Sequence, residues 1–283
     1  AKTRAKLARK TPGGYTQVVS PLYGVPENPI FVGRSAEVRA VGQRLATGDP
    51  VVIWGTGGIG KTALAAEVAR RQRWRFPGGV LWLDCRGSPA LDTLLDRLGA
   101  FAGLAVEQIE PDRKPTAVRQ ALALLDDRYL VVFDNAEDVW DDRAVRDLID
   151  RLPDNGQVLL TTRRDPEQAM WRTLELTRLG DAAMQQLFDR LAAAKGVKVG
   201  TQADLEAIPQ IIEHLEGHPL ALTLVVPLAH KRGLRRVWHD LQRRPLRGVA
   251  AAFAVSYERL TALQRALFTR LSVFTIPFEW DAA

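Results

Sequence analysis

The stretch GTGGIGKT, from Gly55 to Thr62, has the residue types and spacing of a phosphate-binding loop. It follows the apolar run VVIW and opens an amphipathic segment, which predicts a position between a strand and a helix. Its glycines let backbone amides turn towards a phosphate without Cβ clashes, and a helix N-terminus adds partial positive charge. We predict that Lys61 contacts the β and γ phosphates and that Thr62 ligates Mg²⁺. The loop residues predicted to contact nucleotide are Gly55, Gly57, Gly58, Ile59, Gly60, Lys61, Thr62 and Ala63.

A carboxylate that holds the metal beside this loop is expected to follow another buried strand. Asp134 ends the run YLVVFD and is the predicted metal ligand. The run VLWLD lies between the two motifs and is expected to supply an intervening strand. Its last residue, Asp84, is interpreted as an ordinary strand-end side chain.

Hydrolysis needs a group that polarises the attacking water, and an acidic residue directly after the metal ligand would serve. That position is Asn135, which cannot take a proton. Glu137 or Asp138 could substitute, although a solvated acidic turn explains the same residues. We therefore expect slow turnover, and the sequence leaves open whether the chain is an effective enzyme.

A guanidinium near the γ-phosphate is expected from the next strand. Arg163 directly follows QVLLTT, level with Asp134, and a surface arginine at a strand end is the alternative. The predicted catalytic residues are thus Lys61, Asp134 and Arg163.

Other reactive side chains indicate no further site. His214 and His218 have helical spacing, but the sequence HLEGH lacks a glutamate after the first histidine, and Pro219 interrupts the helix. Cys85 is the only cysteine, so no internal disulfide is possible, and we expect a small buried side chain in a reducing, cytoplasmic setting.

The composition predicts a globular protein. The 283 residues exceed one typical domain, and 46% are hydrophobic. No apolar stretch is long enough to span a bilayer, and no apolar segment follows the basic start, so we expect neither membrane insertion nor secretion. The net charge of +6 permits binding to polyanions, but the basic runs are typical of solvated helix faces, and we do not expect direct nucleic-acid binding.

Short apolar runs alternate with helical segments over residues 28–177, which predicts a parallel sheet with flanking helices. Residues 1–27 are expected to form an irregular basic arm, residues 178–248 a helical domain, and residues 249–283 the start of a third domain. The chain begins at Ala1 and ends soon after an apolar run, which suggests a piece of a longer protein. The predicted strands are Val51–Trp54, Val80–Asp84, Tyr129–Asp134, Gln157–Thr162 and Thr173–Leu176.

Five motifs stand in a characteristic order: PIFVGRSAE, GTGGIGKT, LVVFDN, LLTTR and EGHPLAL. Together, over about residues 28–280, they resemble the NB-ARC type of STAND NTPases, the nucleotide switches of apoptosome scaffolds, plant immune receptors and bacterial signalling proteins. The resemblance implies an α/β P-loop NTPase domain of the AAA+-like division, followed by an ARC1-like helical domain and the truncated start of a winged-helix domain.

The resemblance also implies an adenine site. Phe31 and Val32 would offer backbone contacts to the base, Arg34 would lie near the nucleotide, and Pro219 would pack on the base. The family's glutamate after this arginine is replaced by Ser35. The family's Met-His-Asp motif would lie beyond Ala283. The sequence has no N-K-x-D guanine motif and no L-S-G-G-Q transporter signature, so adenine is favoured.

The expected function is an ATP/ADP switch in which exchange and slow hydrolysis control conformation and oligomerisation. Its expected partners are adenine nucleotide, Mg²⁺, other copies of the parent protein, and effector and sensor domains in the flanks. Two alternatives remain: an AAA+ ATPase of the origin-recognition type acting on DNA, and the switch module of a transcriptional regulator.

Overall fold

The computed structural model describes residues 7–10, 16–166, 171–243 and 245–271, with side chains from residue 20 onwards. The chain forms two compact units. The sheet unit comprises residues within Ala1–Asn28, Ala36–Gly55 and Lys61–Glu175, and the helical unit comprises residues within Pro29–Ser35, Thr56–Gly60 and Leu176–Ala283.

A parallel sheet of six strands forms the centre of the sheet unit, as the sequence predicts. Its central strands are buried along nearly their whole length, because their side chains are apolar in unbroken runs. The strands, in chain order after the hairpin strands β1 and β2, are β3 (Leu22–Tyr23), β4 (Val51–Trp54), β5 (Gly79–Asp84), β6 (Tyr129–Asp134), β7 (Gly156–Thr162) and β8 (Arg172–Glu175).

The strand order is β3-β5-β6-β7-β4-β8, which corrects one sequence expectation. The strand between the phosphate-loop strand β4 and the Asp134 strand β6 is β7, not the strand VLWLD. That strand, β5, lies on the other side of β6, and Asp84 is the register partner of Asp134. Sequence spacing predicts that strands exist, but spatial neighbours are determined by the crossovers between them.

Five helices accompany the sheet. Apolar side chains of the third, fourth and fifth helices share one core with β5, β6 and β7, and the second helix packs against β4, β6 and β7. Asp142 begins the fifth helix by accepting hydrogen bonds from the amides of Ala144 and Val145. The first helix was not expected from the sequence. The helices are α1 (Ser35–Arg44), α2 (Lys61–Gln72), α3 (Leu91–Ala102), α4 (Lys114–Ala123) and α5 (Arg143–Asp150).

The helical unit has a single apolar core, to which five of its helices contribute. The second of these helices starts with a reciprocal capping box between Thr201 and Asp204. The helices of this unit are α6 (Asp181–Lys195), α7 (Gln202–His214), α8 (Pro219–Arg232), α9 (Leu234–Gln242), α10 (Gly248–Tyr257) and α11 (Ala262–Leu271).

Leu263, Leu267 and Leu271 lie within α11, whereas Leu260, which has the same spacing, precedes the helix. Thr261 and Gln264 exchange side-chain to backbone hydrogen bonds at 2.9 and 3.2 Å, and this capping begins the new helix. Residues 272–283, which complete the expected start of a winged-helix domain, lie outside the described residues.

The amino-terminal segment is more regular than expected. Strand β1 (Leu7–Lys10) pairs antiparallel with β2 (Thr16–Val19), and β3 adds a parallel edge strand to the main sheet. Strands of two to four residues are too short for a hydrophobic period to reveal them. None of the helices in the described part of the chain is both long and apolar enough to cross a membrane.

Candidate functional site

The phosphate loop leaves β4 and leads into α2, so the sheet fixes one end of the loop and the helix the other. Gly55, Gly58 and Gly60 adopt φ angles of 146°, 75° and 108°, which side chains larger than glycine disfavour. Lys61 is 8% exposed, and its Nζ donates a hydrogen bond to the Gly55 carbonyl at 2.8 Å. Burial lowers the pKa of this ammonium from its ordinary value.

Asp134 is almost fully buried, and two threonine hydroxyls donate to its carboxylate. Thr62 Oγ1 lies 2.9 Å from Oδ1, and Thr161 Oγ1 lies 2.5 Å from the same oxygen. Burial raises the pKa of Asp134, and the hydrogen bonds from both threonines oppose this rise. The structure therefore brings together Lys61 at the start of α2, Thr62 beside it, and the carboxylate at the end of β6.

These oxygens fit a magnesium ion. A hydroxyl and a carboxylate within hydrogen-bonding distance of each other form a compact pair of hard ligands. Across the described residues, no group of three or more histidine, cysteine or acidic side chains is arranged to hold a metal. Mg²⁺ at nucleotide sites needs no such group, because phosphates and water supply most of its ligands.

Asn135 follows Asp134 in a left-handed conformation with φ 59°, which asparagine tolerates. Its backbone amide donates to Thr161 Oγ1 at 3.0 Å. Its side-chain Nδ2 donates to Asp134 Oδ2 at 3.1 Å and to Asp84 Oδ1 at 3.3 Å. Asp84, interpreted from the sequence as an ordinary strand-end residue, therefore lies in the same hydrogen-bonded group as the predicted metal ligand.

Arg163 lies at the end of β7 and pairs with Glu137. Its Nε is 3.0 Å from Glu137 Oε1, and its backbone amide donates to Oε2 at 3.1 Å. The side chain of Arg163 is 65% exposed, whereas that of Glu137 is 11% exposed. Glu137, one of two sequence candidates for polarising water, is thus an ion-pair partner of the predicted phosphate-binding arginine.

Asp138, the other sequence candidate, is used differently. Its Oδ2 accepts a hydrogen bond from the Gly87 amide at 3.0 Å, and its backbone carbonyl accepts one from Ser88 Oγ at 2.6 Å. These bonds attach the turn after β6 to the loop after β5.

The segment before α1 belongs to the helical unit. Ile30 and Val32 pack against the core of that unit, and Phe31 is partly exposed. Arg34 is 6% exposed and donates from Nη2 to the Thr177 carbonyl. Gly33 has φ 68°, and a Cβ there would lie 2.2 Å from that of Ala183.

Pro219 is the first residue of α8, where a missing amide costs no helical hydrogen bond. The preceding residue, His218, places Nε2 3.0 Å from the Gly57 carbonyl, so this nitrogen carries the proton. Sequence reasoning considered His218 only as a zinc ligand and missed this contact, for which the sequence holds no signal. His214 instead packs edge-on against Trp238, with ring centroids 5.6 Å apart.

Cys85 is fully buried, as expected. Burial raises the pKa of its thiol to about 12, so the reactive thiolate form is not populated near neutral pH.

Comparison with known families supports the family resemblance that the five sequence motifs indicate. The NB-ARC domain family model matches residues 34–193, which is more than half of the chain. The regulatory protein AfsR of Streptomyces griseus is 29% identical over 88% of this chain and 25% of its own length. Human apoptotic protease-activating factor 1 is 27% identical over 84% of this chain and 20% of its own length.

Solved structures share the fold. A STAND protein with a tetratricopeptide repeat sensor from Pyrococcus horikoshii matches 90% of this chain and 36% of its own, with a TM-score of 0.57 and 18% identity. The ADP form of the Aeropyrum pernix ORC2 protein matches 83% of this chain and 71% of its own, with a TM-score of 0.52 and 16% identity. The chain spans only about a quarter of AfsR and a fifth of the human protein.

Proposed function

The chain belongs to the NB-ARC family, and from this premise we propose that it is the ATP/ADP-binding switch module of a larger cytoplasmic signalling protein. The identification made from five sequence motifs is confirmed. Membership of a P-loop NTPase family implies nucleotide binding, usually with Mg²⁺. The observation that carries the proposal for this chain is the contact of Thr62 with the buried carboxylate of Asp134, directly beside Lys61.

In the proposed binding mode, the loop amides from Gly57 to Ala63 and the Lys61 ammonium hold the β and γ phosphates. Thr62 and Asp134 hold Mg²⁺, which neutralises phosphate charge when bound. Phe31 and Val32 offer backbone contacts to adenine, and Pro219 packs on the base. The bond from Arg34 to the Thr177 carbonyl supports a role in fixing the segment that carries Phe31.

The proposed switch depends on differential affinity. ADP favours an inactive conformation, and exchange for Mg-ATP favours one in which copies of the parent protein associate. Arg163 contacts the γ-phosphate, at the expense of its ion pair with Glu137. Hydrolysis is slow because Asn135 cannot accept a proton. The AfsR relatives are regulatory proteins by name, which supports the alternative of a switch within a regulator.

The first experiment identifies nucleotide carried by the protein itself. Freshly purified protein is denatured, and any released nucleotide is identified by ion-exchange chromatography. Co-purified ADP supports the switch. If none is released, calorimetric titration with Mg-ADP and Mg-ATP follows, and absence of binding to either contradicts the proposal. A turnover rate of about 1 to 100 per second, as in kinases, contradicts the slow switch but not nucleotide binding.

A further inference from the structure

Three acidic side chains lie near Asp134 without being its metal-ligand partners: Asp84, Glu137 and Asp138. Glu137 is 11% exposed and paired with Arg163 through both carboxylate oxygens. Asp138 Oδ2 accepts a hydrogen bond from the Gly87 amide. Asp84 alone of the three accepts a hydrogen bond from Asn135, the residue that occupies the position where an acid would polarise water.

The backbone fixes Asp84 at the same edge of the sheet as Asp134. Strands β5 and β6 are parallel, Asp84 and Asp134 are register partners, and the Cys85 amide donates to the Asp134 carbonyl at 2.8 Å. Side chains at paired positions of neighbouring parallel strands project from the same face of the sheet. The two carboxylates are therefore neighbours, and Asn135 Nδ2 bridges them.

The exposed fraction of each carboxylate suits a different role. Asp134 is 3% exposed and lies 2.9 Å from the Thr62 hydroxyl, so the two oxygens are close enough to share one metal ion. The side chain of Asp84 is 33% exposed, so it reaches solvent. An acceptor for a water molecule must be accessible to water, and Asp84 meets this condition while remaining hydrogen-bonded to Asn135.

The main competing explanation is that Asp84 serves only its ion pair with Arg86. Arg86 Nε lies 2.9 Å from Oδ2, and the Arg86 amide lies 3.1 Å from Oδ1. The Arg86 side chain is 65% exposed, so solvent screens this pair and its contribution to stability is small. The Arg86 side chain lies in solvent, whereas Asn135 links Asp84 to the buried carboxylate of Asp134. A role in the ion pair with Arg86 and a role beside Asn135 predict different effects of mutation.

We propose that Asp84 supplies the carboxylate that orients the attacking water during ATP hydrolysis, in place of the acid that is absent at position 135. The proposal rests on the nucleotide-binding function proposed above. Asn135 keeps Asp84 beside the phosphate loop's metal ligand by bridging the two carboxylates.

In the reaction, a water molecule donates a hydrogen bond to Asp84, and its oxygen forms a bond to the γ-phosphorus. The bond from that phosphorus to the β,γ-bridging oxygen breaks, and ADP leaves with the electron pair. The water proton passes to the inorganic phosphate that forms. Asp84 aligns the water and carries no net proton at the end of the cycle.

The test compares Asp84→Asn with Arg86→Ala in the full chain, with the fold of each checked by circular dichroism. Calorimetry gives the Kd for Mg-ATP, and single-turnover assays give the hydrolysis rate. For Asp84→Asn we expect a Kd within about twofold of the wild type and a hydrolysis rate about 100-fold lower, the lower end of the effect that a positioned acid or base typically has. Arg86→Ala keeps the carboxylate, so its rate stays within about twofold.

A conservative variant separates chemistry from structure. Asp84→Glu keeps a carboxylate on a longer side chain, and we expect it to hydrolyse ATP faster than Asp84→Asn at an unchanged Kd for Mg-ATP. A loss caused only by packing around Asp84 would be at least as large in Asp84→Glu as in the isosteric Asp84→Asn.

Three results overturn the proposal: equal losses in Asp84→Asn and Arg86→Ala, an unchanged rate in Asp84→Asn, or a wild type that binds ATP without hydrolysing it. If the wild type binds no nucleotide, the proposed function itself fails.

Discussion

At the scale of single residues, Lys61 carries the clearest expectation. Its ammonium is 8% exposed and hydrogen-bonded to the loop carbonyl of Gly55, and burial lowers its pKa. A buried ammonium at this place is suited to receive a phosphate, because charge-assisted hydrogen bonds are strong where water is excluded.

Lys61→Ala is therefore expected to weaken ADP binding by roughly 10- to 100-fold, the equivalent of one charge-assisted bond of about 1.5 to 3 kcal/mol. The loop amides remain, so binding weakens rather than disappears. Calorimetry with Mg-ADP measures the change. The matched control is Lys195→Ala, an exposed lysine in the last turn of α6, which is expected to leave the Kd unchanged. Equal affinities of Lys61→Ala and the wild type would contradict the assigned role.

Sequence reasoning could identify Lys61, Thr62 and Asp134, because each belongs to a local pattern that ends a strand or begins a helix. The structure places the three together, and their roles in nucleotide binding stay predictions. Asp84 and His218 could not be found in this way. The contact of Asp84 with Asn135 depends on which strands are neighbours, and the contact of His218 with Gly57 joins residues far apart in the chain.

At the scale of elements, the predicted strands β4 to β8 are confirmed to within about one residue at each end, because short apolar runs mark them in the sequence. Two features are absent from the sequence expectations: the short strands β1, β2 and β3, and helix α1. These strands are too short to show a hydrophobic period. Between α10 and α11 the chain is interrupted, and the new helix begins with the capping hydrogen bonds between Thr261 and Gln264.

Gly33 tests the packing of the segment before α1 on α6. A methyl group there would lie 2.2 Å from Ala183 Cβ at a left-handed φ of 68°. Gly33→Ala is therefore expected to lower the free energy of unfolding by about 2 to 4 kcal/mol, from overpacking and backbone strain. Gly200 has an ordinary φ, and a Cβ added there would lie in open space. Gly200→Ala is therefore expected to change the free energy of unfolding by less than about 0.5 kcal/mol. Urea unfolding measures both, and similar losses would contradict the packing argument.

Asp240 connects three parts of the helical unit. Its side chain is 15% exposed and pairs with Arg232 of α8 and with Arg259, which precedes α11. Burial alone would raise the pKa of Asp240, but the hydrogen bond from Arg232 and the nearby guanidinium charges outweigh it and lower the pKa.

Asp240→Asn is expected to reduce the free energy of unfolding by about 1 to 2 kcal/mol, since two guanidinium groups lose their carboxylate. Because the folded-state pKa is lowered, the ionised carboxylate stabilises the fold above its ordinary pKa of 3.8, and this stabilisation is lost as the pH falls through the lowered folded value. Urea unfolding from pH 7 to pH 4 should therefore show that the free energy of unfolding of Asp240→Asn lies below that of the wild type by a constant amount. This difference shrinks only in stronger acid. Asp189→Asn, exposed on α6, is the control. A deficit that vanishes already at pH 6 would contradict the assignment.

At the scale of the whole molecule, the net charge of +6 has to be judged against how its charges are paired. In the basic run from His230 to Arg243, Arg232 pairs with Asp240, and side-chain nitrogens of Arg236 and His239 each lie 3.9 Å from its carboxylate. Elsewhere in the described residues, arginines pair with acidic groups either close by in the chain or on other elements, so these charges form dispersed ion pairs. The pairs are Arg71–Glu67, Arg86–Asp84, Arg151–Asp147, Arg163–Glu137, Arg164–Asp141, Arg172–Asp49 and Arg178–Glu216.

Duplex DNA binding distinguishes the signalling switch from an ATPase of the origin-recognition type. Binding to DNA requires lysines and arginines that replace counterions on the phosphates, and its affinity falls steeply with salt. Because Arg232 of the basic run is already paired with Asp240 and other arginines form dispersed ion pairs, we expect no saturable binding of a fluorescent duplex at low micromolar protein and about 50 mM salt, with ADP or with ATP. Fluorescence anisotropy titrations measure the binding.

The informative variant is Asp240→Asn, which releases Arg232 and Arg259 from their carboxylate. If this variant gains weak, salt-sensitive binding to the duplex, the carboxylate of Asp240 masks these charges in the wild type. Nucleotide-dependent binding by the wild type, lost steeply as salt rises, would instead favour action on DNA.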